Sequence, residues 1–348
     1  MILFLLSSGL FLGWSLGAND GANVFGTAVG SRMLRFKTAA TICAVFVVLG
    51  ALIGGGGTSD SINRLGSISA MTGSFIVALS AAASVFWMSR LKLPVSTSQA
   101  IVGAIIGWNV FAQMKVDFSQ LGSFALAWVC SPIMAAITAI IIYQITHHIS
   151  LRTKVHLLRK DVYTRLGFIL VCAVGAYSLG ANNIANVMGI FLYANPFNDL
   201  TIMGQTIFSA NQMLFLIGGF AIALGVYTYS NKVIETVGRS IFKLSPGSAL
   251  TVVFANSIVL YLFSSVELQR FLVSHGLPSL PLVPLSSSQA IVGGVIGIGI
   301  LKGAGSIRYR ILGEIALGWV VTPVIAGILS LLLLYIGANV FNFDLLPH

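Results

Sequence analysis

Charge is what this sequence has least of. Of its 348 residues only 8% are Asp, Glu, Lys or Arg, while 57% are hydrophobic and the mean hydropathy is +0.95. A soluble domain carries about a quarter charged residues, so the scarcity excludes a water-soluble globular fold. Acids are the rarer sign, nine in all. Cysteine is limited to Cys43, Cys130 and Cys172, at unrelated spacings inside apolar stretches, which leaves structural thiols and argues against a disulfide framework or a thiolate metal site. No His/Asp/Ser constellation lies within the apolar stretches, so an embedded enzyme is disfavoured.

The few charges leave uncharged windows at 1–19, 38–59, 65–89, 93–114, 118–151, 166–198, 200–231, 244–266, 271–301 and 315–343. Each can cross a hydrocarbon core of about 30 Å as a helix rising ~1.5 Å per residue. The windows predict an all-α integral membrane protein with about ten membrane-crossing segments, some of the Gly-rich ones being candidate re-entrant hairpins. The first window has no basic residues ahead of its apolar run and reads as a span, not a cleaved signal. Folded back and forth, the chain puts sixteen of its 19 Lys and Arg on one side and only Arg64, Lys115 and Arg270 on the other. The positive-inside rule then puts both termini outside, and the expected location is the cell (plasma) membrane, as a multi-pass chain. The net charge of +10 is thus a topology signal and not a nucleic-acid footprint.

Four short motifs occur twice, in the same order. GANDGAN at 17–23 is matched by GANNIAN at 180–186, and SDSINRLGSI at 59–68 more loosely by IETVGRSI at 234–241. STSQAIVG at 96–103 is matched by SSSQAIVG at 286–293, and WVCSP at 128–132 by WVVTP at 319–323. The ordered set implies a duplication: a first repeat over 1–146, a basic cytoplasmic linker over 147–161, and a second repeat over 162–348. Five windows per half make the second copy enter the membrane from the opposite side. Inverted-topology repeats of this kind characterise secondary transporters, whose sites lie near the midplane where broken helices or hairpins of the two repeats meet.

Asp20 lies deep within the apolar run from 1 to 31, where an ionisable group is costly and functional. Asn19, Asn23 and glycines 17, 21 and 26 surround it, a composition that predicts a broken helix with free carbonyls. Carboxylate, carboxamides and carbonyls form a hard-oxygen set suited to Na⁺. The second copy offers Asn182, Asn183 and Asn186, with Asn183 standing where the first has Asp20. Pro94 precedes Ser96, Thr97, Ser98 and Gln99, and Pro284 precedes Ser286, Ser287, Ser288 and Gln289. Each block predicts a helix starting inside the membrane with a Ser-x-x-Gln capping box. A helix N-terminus is also a ready site for an oxyanion, and three hydroxyls exceed what a cap requires. No Arg or Lys lies in these motifs, so an anion held there needs a bound cation for company.

GANDGAN, GANNIAN and the paired VSTSQAIVG and LSSSQAIVG blocks resemble the signatures of the PiT-type inorganic phosphate transporter family, over essentially the whole chain. The resemblance implies inorganic phosphate as substrate, coupling to Na⁺ or H⁺, and functional acids after the second and seventh spans, here Asp60 and Glu235. Two departures from the family pattern are Asn183, where an Asp is usual, and the short region around 231–247, where many members carry a long hydrophilic insert. The expectation is a secondary active transporter importing phosphate with Na⁺ by alternating access, with no cofactor beyond the coupling ion. Phosphate would lie among Ser96, Thr97, Ser98, Gln99, Ser286, Ser287, Ser288 and Gln289. Na⁺ would be held by Asp20, Asn23, Asn183 and Asn186, supported by Asn19 and Asn182. A proton-coupled or sulfate symporter and an anion channel are the alternatives. The many small residues also suit helix packing between two protomers, so a homodimer is expected.

Overall fold

In hydrocarbon a backbone has no water to bond with, so it must satisfy its own polar groups, and helices do this within one segment. The computed structural model describes residues 2–91, 95–153, 156–202, 205–237, 244–303 and 308–345, excepting the side chains of 157, 158, 202 and 235–237. The first half holds α1 (Ile2–Gly30), α2 (Phe36–Gly54), α3 (Gly56–Gly66), α4 (Met71–Arg90), α5 (Thr97–Phe111) and α6 (Phe118–Arg152). The second holds α7 (Leu157–Met188), α8 (Ala210–Thr228), α9 (Ser230–Val237), α10 (Pro246–Leu262), α11 (Val266–Ser274), α12 (Ser287–Leu301) and α13 (Tyr309–Asn339). Helix α6 continues through His147 and His148, and α7 begins at Leu157.

Seven of these helices, α1, α2, α4, α6, α7, α8 and α13, are long and apolar enough to cross a membrane. Helices α10 and α11 form a pair bent by 65° that counts as an eighth span if taken as one. Among the described residues, helix length and composition thus support seven or eight of the ten expected crossings. Windows 93–114 and 271–301 contain helices of only 15 residues, α5 and α12, about 22 Å long. An uncharged window counts residues without asking whether they are helical, and residues 277–286 are not. The window at 200–231 also opens with a two-stranded antiparallel hairpin, β1 (Leu200–Ile202) and β2 (Gln205–Phe208), so the protein is not wholly α-helical. Its polar, β-branched residues suit a hairpin, and the Asp199 carboxylate accepts the Ala210 N–H at 2.7 Å where α8 begins.

Small residues let these helices touch backbone to backbone. A methyl group at Gly103 of α5 would lie 2.1 Å from the Pro323 carbonyl oxygen of α13, and one at Gly293 of α12 would lie 2.1 Å from the Pro132 carbonyl oxygen of α6. Gly17 of α1 meets the Ile222 carbonyl of α8, while Gly180 of α7 meets the Val47 carbonyl of α2. Gly225 of α8 meets the Trp14 carbonyl, while Gly50 of α2 meets the Tyr177 carbonyl. Each contact occurs twice, with the partners exchanged between halves. The repeated SQAIVG and WV-x-x-P motifs are therefore each other's packing partners: the glycine closing one motif lies on the proline of the other half. Helices α1 and α7 run antiparallel, since Val24 lies beside Cys172 and Gly175 whereas Gly9 lies beside Val187 and Phe191. Outside this packing, α6 exposes Ile133, Ile137, Ile141, Ile145 and Ile149, an apolar stripe at every fourth residue.

Candidate functional site

Both hydroxyl blocks begin short helices, as their sequence predicts. Ser96 caps α5 by accepting the Gln99 N–H at 3.3 Å, and Ser286 caps α12 by accepting the Gln289 N–H at 3.3 Å. Ser96 and Ser98 hydroxyls pair at 3.0 Å, and so do those of Ser286 and Ser288. Pro94 lies outside the described residues; Pro284 sits in the extended stretch leading into α12. The expected capping box is only half made. At the start of α8 a Ser-x-x-Gln motif closes fully, with the Gln212 Oε1 accepting the Ser209 N–H at 3.0 Å. At Gln99 and Gln289 no such return occurs, and both Oε1 atoms are buried without a partner, as is the Thr97 hydroxyl. All eight residues of the two blocks are buried, Ser288 being the most exposed at 8%. The blocks also touch: the Ser288 hydroxyl donates to the Val95 carbonyl at 3.0 Å, joining the two helix starts from opposite halves.

Asp20 is the one charged side chain buried among the described residues, at 4% exposure. Among the described residues no Lys or Arg pairs with it; the ion pairs at Arg165–Asp161 and Arg310–Glu314 are on the surface. The Asn23 amide lies 3.5 Å from the Asp20 carboxylate and donates to the Ser287 hydroxyl at 3.2 Å. The acidic motif of the first half thus contacts the first turn of α12 from the second. In the second half the Asn186 amide donates to the Asn183 Oδ1 at 2.9 Å, the counterpart of the Asn23–Asp20 contact, and the Asn186 Oδ1 is buried without a partner.

Helix α1 runs unbroken from Ile2 to Gly30, which corrects the expectation of a broken helix with free carbonyls at Asp20. The glycines there serve close packing: a methyl at Gly17 would lie 1.9 Å from the Ile222 carbonyl oxygen. A cation at Asp20 would therefore find no free carbonyl on α1 itself. Asn19 is not brought into the cluster, because its amide donates to Ser89 at 2.7 Å, on α4. Asn182 has a positioning task, its Oδ1 accepting the Leu285 N–H at 2.8 Å and so holding the segment that leads into α12. Asp60 is exposed on α3, whereas its neighbours Thr58, Ser59 and Ser61 are buried. The Glu235 side chain lies outside the described residues.

Sequence reasoning missed Asn256. It is fully buried on α10, and neither its Nδ2 nor its Oδ1 has a partner. Its only signal was a lone carboxamide in the apolar window 244–266, without a counterpart in the repeat. Ser286→Ala should lower stability by about 1 kcal/mol through loss of the cap, measurable as a lower midpoint of thermal unfolding in detergent, with Ser96→Ala giving a similar fall.

A model of the phosphate transporter family (PHO4) matches residues 16–330. A candidate phosphate permease of Methanocaldococcus jannaschii is 29% identical over 323 residues, covering 93% of each chain. The sulfate permease CysP of Bacillus subtilis is also 29% identical, over 96% of this chain and 88% of its own length. A solved structure of a sodium-dependent phosphate transporter matches with a TM-score of 0.75 at 21% identity, covering 96% of this chain and 98% of its own, which establishes a shared fold.

Proposed function

The chain belongs to the phosphate transporter family, and on that premise we propose that it is a secondary active transporter importing inorganic phosphate together with Na⁺ by alternating access. The observation that carries the reading is the contact between Asn23 and Ser287, which links the single carboxylate buried among the described residues to the start of α12. In this reading the anion is held by the hydroxyls, the Gln99 and Gln289 carboxamides and the free backbone N–H groups of α5 and α12. A helix N-terminus favours an oxyanion through its dipole and orphan donors. The coupling cation sits on Asp20 and Asn23, next to the anion, with the neutral Asn183–Asn186 pair on the other half. Each ion then offsets the other's charge in a site without basic side chains. Binding of one raises the affinity for the other by the same factor, as linkage requires.

The exchanged glycine contacts and the antiparallel course of α1 and α7 support two inverted repeats whose relative movement opens the site to each side in turn. The lopsided distribution of Lys and Arg supports an orientation with both termini outside. A second reading, sulfate as the carried anion, has its own support in the similarity to a sulfate permease. Sulfate is also tetrahedral and would meet the same donors.

Uptake of labelled phosphate into proteoliposomes tests both. With an inward Na⁺ gradient, phosphate should accumulate transiently above equilibrium, and replacing Na⁺ by K⁺ at fixed pH should abolish the overshoot. Accumulation that follows an imposed proton gradient instead would change the coupling ion. Accumulation of sulfate in preference to phosphate would change the substrate, and equilibration without any overshoot would make the protein a channel.

A further inference from the structure

Among the described residues Asn256 is the one side chain whose buried nitrogen and oxygen both lack a partner. A buried amide in this condition is expected to have a ligand, since unsatisfied polar groups are selected against in native folds. Its neighbours on α10 locate it. Val252, one turn earlier on the same face, lies 3.1 Å from where a methyl at Gly294 of α12 would stand. Leu260, one turn later, offers its carbonyl to Asn182, whose other end holds Leu285 just before α12. Along α10, Asn256 therefore lies between Val252, which contacts the second turn of α12, and Leu260, which is tied through Asn182 of α7 to the residue just before α12. Ser257, the next residue, and Val24 of α1 both border Gly175 of α7, at 2.6 and 3.2 Å from a methyl placed there. Val24 adjoins Asn23, which bonds to Ser287. Helices α1, α7, α10 and α12 thus converge at the depth of Asn256, beside the Asn23–Ser287 contact.

We propose that Asn256 is a bridging ligand of the transport site, its Oδ1 coordinating the cation held by Asp20 and Asn23 and its Nδ2 donating to an oxygen of the tetrahedral anion at α12. The proposal rests on the reading of the site given above and adds to it a residue that contacts both ions. A carboxamide suits the task because it presents one acceptor and two donors on a short, neutral arm. Neither the carboxylate of Asp20 nor the hydroxyl blocks alone would then set coupling; Asn256 would tie the two occupancies together.

The test uses the full chain, purified in detergent and reconstituted in liposomes, as wild type, Asn256→Leu and Asn256→Asp. Leucine is close in volume and removes both orphan groups, so without ligands N256L should unfold at the same temperature as wild type or higher. The same variant should show at least a tenfold weaker apparent affinity for Na⁺ and for phosphate, by thermal shift and by uptake. N256D keeps an oxygen and loses the donor, so it should retain the Na⁺ response while phosphate affinity falls at least tenfold. N256L with unchanged affinities for both ions would overturn the proposal. So would a ligand-free N256L that unfolds at lower temperature, which would show the amide bridging structural groups through water. Wild type is titrated with phosphate and with sulfate alongside. A wild type responding to neither, with or without Na⁺, overturns the parent reading and this one with it. A wild type that responds while N256L responds equally overturns this one alone.

Discussion

Asp20→Asn is expected to remove sodium-driven accumulation, lowering cation-dependent uptake by at least about a hundredfold, or roughly 2.7 kcal/mol at 1.36 kcal/mol per decade. The change is isosteric and deletes only charge. The fold already tolerates the product, because the second half carries Asn183 at the matching place, with its Oδ1 accepting the Asn186 amide at 2.9 Å. Asn23 can donate to an asparagine at 20 as Asn186 donates to Asn183. An unpaired carboxylate buried in the apolar interior destabilises the empty protein, so Asp20→Asn should unfold at the same temperature as wild type or higher when Na⁺ is absent. The prediction thus separates binding from folding: stability holds or rises, and the shift on adding Na⁺ vanishes. Retention of a Na⁺-dependent overshoot in proteoliposomes would remove Asp20 from the coupling site. Loss of folded protein would instead show that the carboxylate is bound to something structural.

Much of this site was legible because duplication makes chemistry visible twice. The Ser-x-x-Gln blocks begin helices at Thr97 and Ser287, and Asp20 is buried as its place in an apolar run implies. What sequence misjudged has a common cause. Helix propensity describes an isolated helix, in which glycine costs about 1 kcal/mol relative to alanine; in α1 that cost is offset by backbone contact with α8, so the helix continues through Asp20. Adjacent residues on a helix point about 100° apart, which is why Asn19 reaches Ser89 while Asp20 and Asn23, three apart, share a face. Asn256 had no repeat partner to mark it, and only the packing of α10 among α1, α7 and α12 shows its isolation. The half-made caps at Gln99 and Gln289 were equally invisible, since the same four-residue pattern closes completely at Ser209.

Gly103→Ala and Gly293→Ala should be as damaging as any loss of a charge, although each adds one methyl group. At Gly103 the methyl would lie 2.1 Å from the Pro323 oxygen and 2.6 Å from its Cα; at Gly293 the corresponding distances to Pro132 are 2.1 and 2.5 Å. The obstructing atoms are backbone on a long helix, so no rotamer change relieves the clash and the helices must separate. Overpacking of this kind costs typically 1–3 kcal/mol and occasionally more; with backbone against backbone, about 3 kcal/mol or more is expected for each variant, read as a fall in the unfolding midpoint and in the monodisperse fraction on size exclusion. Separation would also shift the first turns of α5 and α12 and so lower transport in whatever protein still folds. Gly122→Ala on α6 and Gly313→Ala on α13 are the controls, because nothing lies within 4 Å of a methyl at either position. There the better helix propensity of alanine should leave stability unchanged or raise it by up to about 1 kcal/mol. The decisive comparison is between the two damaging variants. If the halves exchange equivalent contacts, Gly103→Ala and Gly293→Ala must fail to a similar degree. A severe effect at one and a mild effect at the other would mean that the paired contacts are not energetically equivalent, and that one short helix is held far more loosely than its partner.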